Sequence, residues 1–362
     1  MAKTALLSAG GTGGHLFPAQ SLAQELKERG WIVHLATDPR AEKFIDTFPA
    51  DQVHIIPSAT FAGKSPIALA RTLYRLAKGY FLSRRVLSKT KPDAVVGFGG
   101  YPTVPPLLAA SHMGHPTILH EQNAVMGRAN RFLATRVSAI ATGFSLEKAL
   151  GAAGAPVTVT GNPLRQIAHD AAKSTYKRPT KSGRFNLLVF GGSQGARFFS
   201  QAMPAALALL DKKQLGRLEL VLQARPEDAE QARAALKDLQ IDAEVSEFFD
   251  DMPGRISRSH LVICRAGASS VSELALIGCP SILVPLPGAL DDDQGANASH
   301  LAAAGGANLV RQKDLTPEKL ANLLSDSMNH PESLAKQAEN AKKAGVADAA
   351  QRLADLVEAH AG

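Results

Sequence analysis

His15 directly follows Ala9-Gly10-Gly11-Thr12-Gly13-Gly14, a run that begins where a short apolar segment ends. Histidine takes and returns a proton near neutrality, which makes His15 a candidate general base. A glycine-rich turn between strand and helix brings backbone N–H groups close to an anion, and the helix N-terminus adds partial positive charge. A second such turn, Phe190-Gly191-Gly192-Ser193-Gln194-Gly195, lies 181 residues further on, half of the 362-residue chain. Arg265-Ala266-Gly267-Ala268-Ser269-Ser270-Val271-Ser272-Glu273 also follows an apolar run. Its small residues suit a helix start that accepts phosphate, and Glu273, about one turn in, is placed to accept hydrogen bonds from hydroxyls. His120-Glu121-Gln122-Asn123 and Gly161-Asn162-Pro163-Leu164-Arg165 stand at further strand ends.

The glycine runs are not the familiar nucleotide fingerprints. Starting G-x-G-x-x-G at Gly11 puts its last position on Leu16, and starting at Gly97 puts it on Pro102. Gly63-Lys64-Ser65 could end a P-loop, but Ser58 stands where the first glycine belongs. Plain βα packing is the alternative for each turn, capping for His15, and first-turn capping for Ser269 and Glu273. No metal site is expected. His120-Glu121 lacks the second histidine of H-E-x-x-H, and Cys264 and Cys279 have no C-x-x-C partner. Asp291-Asp292-Asp293 resembles a divalent-ion D-x-D, yet it precedes a helix start, where acidic residues are ordinary.

These residues require elements that deliver them to one edge of a sheet. Short β-rich runs alternate with amphipathic helical stretches in both halves, the pattern of parallel α/β sheets built from βαβ units. Strands are expected near 4–9, 31–37, 53–57, 93–97, 116–119, 137–142 and 156–160, with helices near 17–29, 66–90, 103–113 and 127–135. A polar linker runs from Lys173 to Arg184. Strands then restart near 186–190, 218–222, 242–246, 260–264, 281–284 and 307–310, and a helical tail from Thr316 to His360 is cut by Pro331 and Gly345. The matching glycine turns suggest two related Rossmann-like halves. In open α/β sheets ligands bind beyond the carboxyl ends of the strands, where all these motifs fall.

Composition sets the class. A chain with 45% hydrophobic residues and two cysteines is neither disordered nor a disulfide scaffold. No run of 18 apolar residues offers a membrane span. The net charge of +7 is uneven, with 17 Lys/Arg against 9 Asp/Glu in residues 1–163 and 23 against 24 thereafter. Between Asp51 and Asp93 there is no carboxylate, while eight basic residues fall from Lys64 to Lys91. Helical spacing puts Arg71, Arg75, Lys78, Arg85 and Lys89 on one stripe, with Leu73, Leu76, Tyr80, Phe81 and Leu87 mostly off it. That pattern suits a helix lying on an anionic bilayer; an ordinary solvated helix face is the alternative. Nucleic acid is disfavoured as a partner by an aromatic content of 5%.

The motifs gain specificity from their order. Gly10 through His15 with Pro18, Gly99-Gly100-Tyr101, His120 through Asn123, Gly161-Asn162-Pro163 with Arg165, Gly191 through Arg197, Asp250-Asp251-Met252, Val271-Ser272-Glu273 and Gln294 with Asn297-Ala298 follow one another. In this combination the chain resembles glycosyltransferase family 28 over about residues 4–345. The resemblance implies a GT-B fold, two Rossmann-like parallel-sheet domains facing a deep cleft. Residues 1–163, joined by a returning helix 346–362, would form the acceptor and membrane domain, and 164–345 the UDP-GlcNAc domain.

It further implies a UDP-GlcNAc-dependent hexosyltransferase of peptidoglycan synthesis. N-acetylglucosamine would pass with inversion from UDP-GlcNAc to undecaprenyl-diphospho-MurNAc-pentapeptide, with no cofactor or protein-held metal. The enzyme would sit peripherally on the cytoplasmic face of the bacterial inner membrane, through residues 64–91. His15 would be the base. Arg165 and Ser193 would contact the nucleotide, Phe249 the uracil, Ala268, Ser269, Ser270, Val271, Ser272 and Glu273 the diphosphate and ribose, and Gln294 the sugar. Thr12, Gly13, Gly14, Tyr101, Glu121 and Asn123 would line the acceptor side. Asp293 stands where the family often has a first of two glutamines, and it lacks an amide donor. A different glycolipid glycosyltransferase, a UDP-GlcNAc 2-epimerase of the same fold, and a non-catalytic nucleotide-sugar-binding protein are the alternatives.

Overall fold

The computed structural model describes residues 2–41, 45–59, 65–146, 154–288 and 291–362. The chain forms two compact units, residues 1–165 with 348–362, and residues 166–347.

The first unit carries seven parallel strands: β1 (Thr4–Ser8), β2 (Ile32–Thr37), β3 (Gln52–Ile55), β4 (Ala94–Gly97), β5 (Thr117–Glu121), β6 (Ala139–Thr142) and β7 (Val157–Val159). Their order is β3-β2-β1-β4-β5-β6-β7, so the chain reverses its direction of growth between β1 and β4. Leu7 of β1 is registered with Leu35 of β2 and Val96 of β4. Strands buried on both faces need apolar residues without alternation, which explains Ala5-Leu6-Leu7 and Ala94-Val95-Val96. Ala5 and Leu7 pack on one side with Leu22 and Leu26 of helix α1 (Gly13–Glu28), while Leu6 packs on the other with Leu87 and Leu107.

Helix α1 starts four residues before the apolar periodicity suggests. Its first-turn N–H groups need no intrahelical partner, so Gly13 and Gly14 can be helical there, and Pro18 forgoes only one backbone bond. His15 consequently sits inside the first helical turn. Helix α2 (Pro66–Thr90) is capped by Ser65, whose Oγ accepts from Ala68 N at 3.2 Å, and Pro66 pre-sets its first turn. Short helices α3 (Val104–His112) and α4 (Arg128–Leu133) follow β4 and β5.

The second unit repeats the plan with β8 (Phe185–Phe190), β9 (Leu218–Gln223), β10 (Asp242–Ser246), β11 (Leu261–Cys264), β12 (Ser281–Leu283) and β13 (Ala307–Leu309). All are parallel, in the order β10-β9-β8-β11-β12-β13. Position by position this is the order of the first six strands, and β8 corresponds to β1. The two glycine turns therefore occupy the same place, after the strand beside each switch point. Helix α5 (Gln166–Ala172), which lacks a distinct periodic signal, precedes β8. Then come α6 (Gly192–Leu207), α7 (Lys212–Leu215), α8 (Pro226–Asp238), α9 (Met252–Arg258), α10 (Ala268–Ile277) and α11 (Asp293–Ala303).

The tail forms α12 (Pro317–Asn329), α13 (Pro331–Ala344) and α14 (Ala349–His360), divided where Pro331 and Gly345 stand. Helix α14 belongs to the first unit. Leu353, Ala354 and Val357 enter its core, and Arg29 bonds Asp355 at 2.6 Å and Glu358 at 2.8 Å.

Candidate functional site

In the first unit, the turn after β1 is held from the side by Asp38, which follows β2. Asp38 Oδ2 accepts from Gly11 N at 3.2 Å, and Arg40 grips both carboxylate oxygens at 2.9 Å. Burial pushes the Asp38 carboxyl up, but the bonds from Arg40 and Gly11 outweigh it and leave its pKa below the ordinary value. Only glycine fits at position 11, because a Cβ would lie 2.4 Å from Ala41 N. Thr12 is the N-cap of α1 yet makes no side-chain cap, and beside Gly14 there is open space. Thr12 and Gly14 are exposed at this helix start.

His15 is tied into a line of side chains from the next strand ends. Its Nδ1 lies 3.1 Å from Gln122 Oε1, and Gln122 Nε2 lies 3.0 Å from His120 Nδ1 and 3.1 Å from His120 O. His120 Nε2 ends the line 3.1 Å from Gly161 O. His120 is fully buried, and that burial pushes its pKa down to about 4. Strand β5 runs two residues beyond its expected end, so His120 and Glu121 are strand residues rather than loop residues. Glu121 is buried, and its oxygens accept from Asn123 N, Asn123 Nδ2, Gly127 N and Asn130 Nδ2 at 2.7–3.2 Å. Saturated by its own loop, Glu121 shapes the presentation of Asn123 and has no oxygen left over for an external ligand. Tyr101 lines a cavity of about 640 Å³ together with Asp38, Arg40, Arg71, Thr72 and Arg75. Arg165 also falls in this unit, its guanidinium 4.1 Å from the ring centroid of Phe17, two residues from His15.

In the second unit, Gly191 N and Gly192 N donate to Gln223 Oε1 at 3.2 and 3.1 Å. The side chain of Ser193 lies outside the described residues. Helix α10 has Gly267 as its N-cap, without a side-chain cap, so Ser269 does not cap it, and among the described residues the Ser269 and Ser270 hydroxyls show no hydrogen bond to the chain. Ala268 and Val271 are buried, which leaves their backbone as the part a ligand can meet. Ser272 and Glu273 are half-buried on the same helix.

The loop before α10 is cross-braced. Gln294 Oε1 accepts from Ala266 N at 3.2 Å and Leu286 N at 3.0 Å, and Asn297 Nδ2 donates to Ala266 O at 3.1 Å. Gln294 therefore offers a ligand its amide N–H rather than its oxygen. Arg265 donates to Val284 O, Pro285 O and Gln312 Oε1 beneath the Phe198 and Phe199 rings, and burial lowers its pKa to about 10. Phe249 is 7% exposed under the Arg255 guanidinium, whereas its neighbour Phe248 is 69% exposed. Phe249 can thus meet a base through its backbone more readily than by ring stacking.

Of the acidic triplet, Asp292 is engaged by Arg311 at 2.6 and 2.7 Å. Among the described residues, no three His, Cys, Asp or Glu side chains are grouped to hold a metal ion.

Asp38, Arg40 and Gln223 were not singled out by sequence, although their positions at strand ends beside the glycine turns were a usable signal. The role of His120 and Gln122 was hidden for a different reason. It depends on Gly161, 41 residues away from His120.

The basic helix separates its faces more sharply than its sequence does. Leu69, Leu73, Tyr74 and Phe81 are exposed at 47–68%. Arg71, Arg75, Lys78, Arg84 and Arg85 are exposed beside them, while Leu87 belongs to the core rather than to an exposed apolar face. Gly79 lets α2 press on Pro57, whose carbonyl oxygen a Cβ would approach to 2.1 Å.

Comparison with known proteins bears on both units. The glycosyltransferase family 28 N-terminal domain matches residues 5–142, and the family 28 C-terminal domain matches residues 186–353. A UDP-N-acetylglucosamine–N-acetylmuramyl-(pentapeptide) pyrophosphoryl-undecaprenol N-acetylglucosamine transferase of Brucella abortus strain S19 is 57% identical over 354 residues, covering 98% of this chain and 93% of that protein. A relative of the same name from Sinorhizobium fredii is 57% identical over 353 residues, covering 98% and 94%. Among solved structures, Acinetobacter baumannii MurG superposes with a TM-score of 0.78 at 30% identity, covering 99% of this chain and 100% of that one. A putative UDP-N-acetylglucosamine 2-epimerase from Listeria monocytogenes reaches a TM-score of 0.71 at 17% identity over 99% and 97%, a likeness of fold alone.

Proposed function

This chain belongs to glycosyltransferase family 28, and from that premise we propose that it transfers N-acetylglucosamine from UDP-N-acetylglucosamine to N-acetylmuramyl-(pentapeptide) pyrophosphoryl-undecaprenol. The observation that carries the reading is 57% identity across 98% of the chain to relatives named for that transfer. The epimerase alternative rests on fold likeness only, at 17% identity.

The chemistry needs three things: an anion-binding cradle for the departing diphosphate, a base for the acceptor hydroxyl, and a means of meeting a lipid-linked substrate. The uncapped start of α10, with Ala268 to Glu273, supplies the cradle from backbone N–H groups and the two serine hydroxyls. Ser193 adds its backbone N–H after the Gly191–Gly192 turn, which Gln223 holds in place, Phe249 meets the uracil by its backbone, and Gln294 donates its amide to the sugar. Arg165 adds positive charge toward the nucleotide. On the acceptor side, Thr12, Gly13, Gly14, Tyr101 and Asn123 position the hydroxyl, and His15 takes its proton. The acceptor oxygen forms a bond to the anomeric carbon as the bond to UDP breaks, UDP leaving with the electron pair. Attack opposite the leaving group inverts the centre.

The acceptor chain demands contact with a lipid surface. No described helix is long and apolar enough to cross a membrane. The exposed Leu69, Leu73, Tyr74 and Phe81, bordered by Arg71, Arg75 and Lys78, fit an interfacial helix on an anionic bilayer, at the cytoplasmic face where UDP-sugars are available.

The test separates the two sides. His15→Ala is expected to lower kcat by about 100-fold or more with little change in donor affinity. Glu273→Ala is expected to weaken UDP-N-acetylglucosamine binding instead. Near-normal turnover of His15→Ala removes His15 as the base, and unchanged donor affinity of Glu273→Ala removes Glu273 from the donor site.

A further inference from the structure

We infer that Gln122 and His120 are positioning residues that fix the tautomer of His15, holding its proton on Nδ1 and leaving an unprotonated Nε2 to face the acceptor hydroxyl. The inference rests on the reading of His15 as the base, and it specifies how the fold prepares that base.

The assignment begins at an atom with no freedom. Gly161 O is a backbone carbonyl and can only accept, so His120 Nε2, 3.1 Å away, must carry hydrogen. Burial keeps the His120 ring neutral, so it has one ring hydrogen, and its Nδ1 presents a lone pair. The next link is fixed twice over. One end of the Gln122 amide lies 3.0 Å from that Nδ1 and 3.1 Å from His120 O, two acceptors. Only the NH₂ end can stand there, so Oε1 must be the end that faces His15.

Oε1 can only accept, and His15 Nδ1 lies 3.1 Å from it. His15 Nδ1 is therefore the donor, and in the neutral ring Nε2 is the base nitrogen. Two further contacts brace the line. Asn162 Nδ2 donates to Gln122 O at 3.0 Å, and the His120 ring packs against Phe98 with centroids 5.5 Å apart. Gly100, with φ +76°, lies beside the Nε2 edge of His15 without a side chain; a Cβ there would touch Nε2 at 3.4 Å. Every group belongs to the first unit.

The same arrangement limits the strength of the base. Gln122 is a neutral acceptor, so it orients the ring without the added charge stabilisation that a carboxylate partner would give the imidazolium. The proton taken at Nε2 remains on His15 until it is released to solvent; no proton needs to travel through Gln122 or His120, whose hydrogens are unchanged by the step.

The test is long-range ¹H–¹⁵N correlation on the full chain with ¹⁵N-labelled histidine, in mildly alkaline buffer, with His15 assigned by its loss in His15→Gln. The expected result is a protonated Nδ1 and an unprotonated Nε2 for His15 in the wild-type protein. In Gln122→Met, which keeps length but removes the amide, His15 is expected to show both tautomers, with kcat at least about tenfold lower and the KM for UDP-N-acetylglucosamine unchanged. A wild-type His15 protonated on Nε2 overturns the inference without recourse to any variant in the line. So does an unaltered tautomer in Gln122→Met. Had His15 the expected tautomer while His15→Ala retained turnover, the reading of His15 as base would fail and the positioning by Gln122 would stand.

Discussion

Asp38 and Gln223 do the same work in the two units, and they do it with different charge. Each stands at the carboxyl end of the strand neighbouring the glycine turn, and each accepts backbone N–H groups from it. Asp38 Oδ2 takes Gly11 N at 3.2 Å, while Gln223 Oε1 takes Gly191 N at 3.2 Å and Gly192 N at 3.1 Å. The carboxylate of Asp38 is offset by the Arg40 guanidinium. Gln223 is neutral, and its Nε2 is engaged by Glu247 O at 3.1 Å. A neutral clamp suits the unit we propose to hold the donor, since a carboxylate there would repel a diphosphate.

Gln223→Glu preserves an accepting oxygen but adds a negative charge beside the second glycine turn. The KM for UDP-N-acetylglucosamine should rise by about tenfold, with a smaller change in kcat, and the rise should shrink at high salt. Steady-state kinetics at two ionic strengths measure it. An unchanged KM would show that the Gly191–Gly192 turn does not lie near the diphosphate.

His120 makes stability depend on pH in a definite direction. The unfolded chain binds its proton near the ordinary value of 6.5, whereas the folded chain resists until about 4. Above pH 6.5 the contribution of this burial is fully present, and it is lost as pH falls toward 4, by on the order of 3 kcal/mol. His34, His54 and His260, also lowered by burial, contribute to the wild type and to His120→Gln alike. Urea unfolding between pH 7 and pH 4 should therefore show a shallower loss of stability in His120→Gln. Equal slopes would mean that His120 is not held neutral.

The exposed face of α2 gives a prediction independent of catalysis. Reversing Arg71, Arg75 and Lys78 to Glu should abolish binding to vesicles containing anionic lipid and leave activity on a short, soluble acceptor within about twofold. Arg71 and Arg75 also line the cavity with Tyr101, so loss of both vesicle binding and soluble-acceptor activity would assign these side chains to acceptor recognition as well.

The architecture was legible because parallel strands buried on both faces read as unbroken apolar runs, and because Pro331 and Gly345 punctuate the tail as they punctuate the structure. The start of α1 was not, since Gly13 and Gly14 are poor helix formers that are tolerated only in a first turn whose N–H groups are free. Motif positions marked the strand ends, yet side-chain roles depended on partners distant in sequence. Nothing local distinguishes Glu121, saturated by its loop, from Gln122, which reaches His15 across 107 residues. Likewise the burial of Phe249 beneath Arg255 and the exposure of Phe248 cannot be read from two adjacent phenylalanines.

The central claim is acceptor-dependent transfer, and the most direct measurement is the fate of radiolabelled UDP-N-acetylglucosamine incubated with the full chain, with and without a polyprenyl-diphospho-N-acetylmuramyl-pentapeptide acceptor. Label should move into the lipid-linked product, with one UDP released per sugar transferred, only when the acceptor is present. Formation of UDP-N-acetylmannosamine without acceptor, or no turnover of a protein that binds the donor, would contradict it.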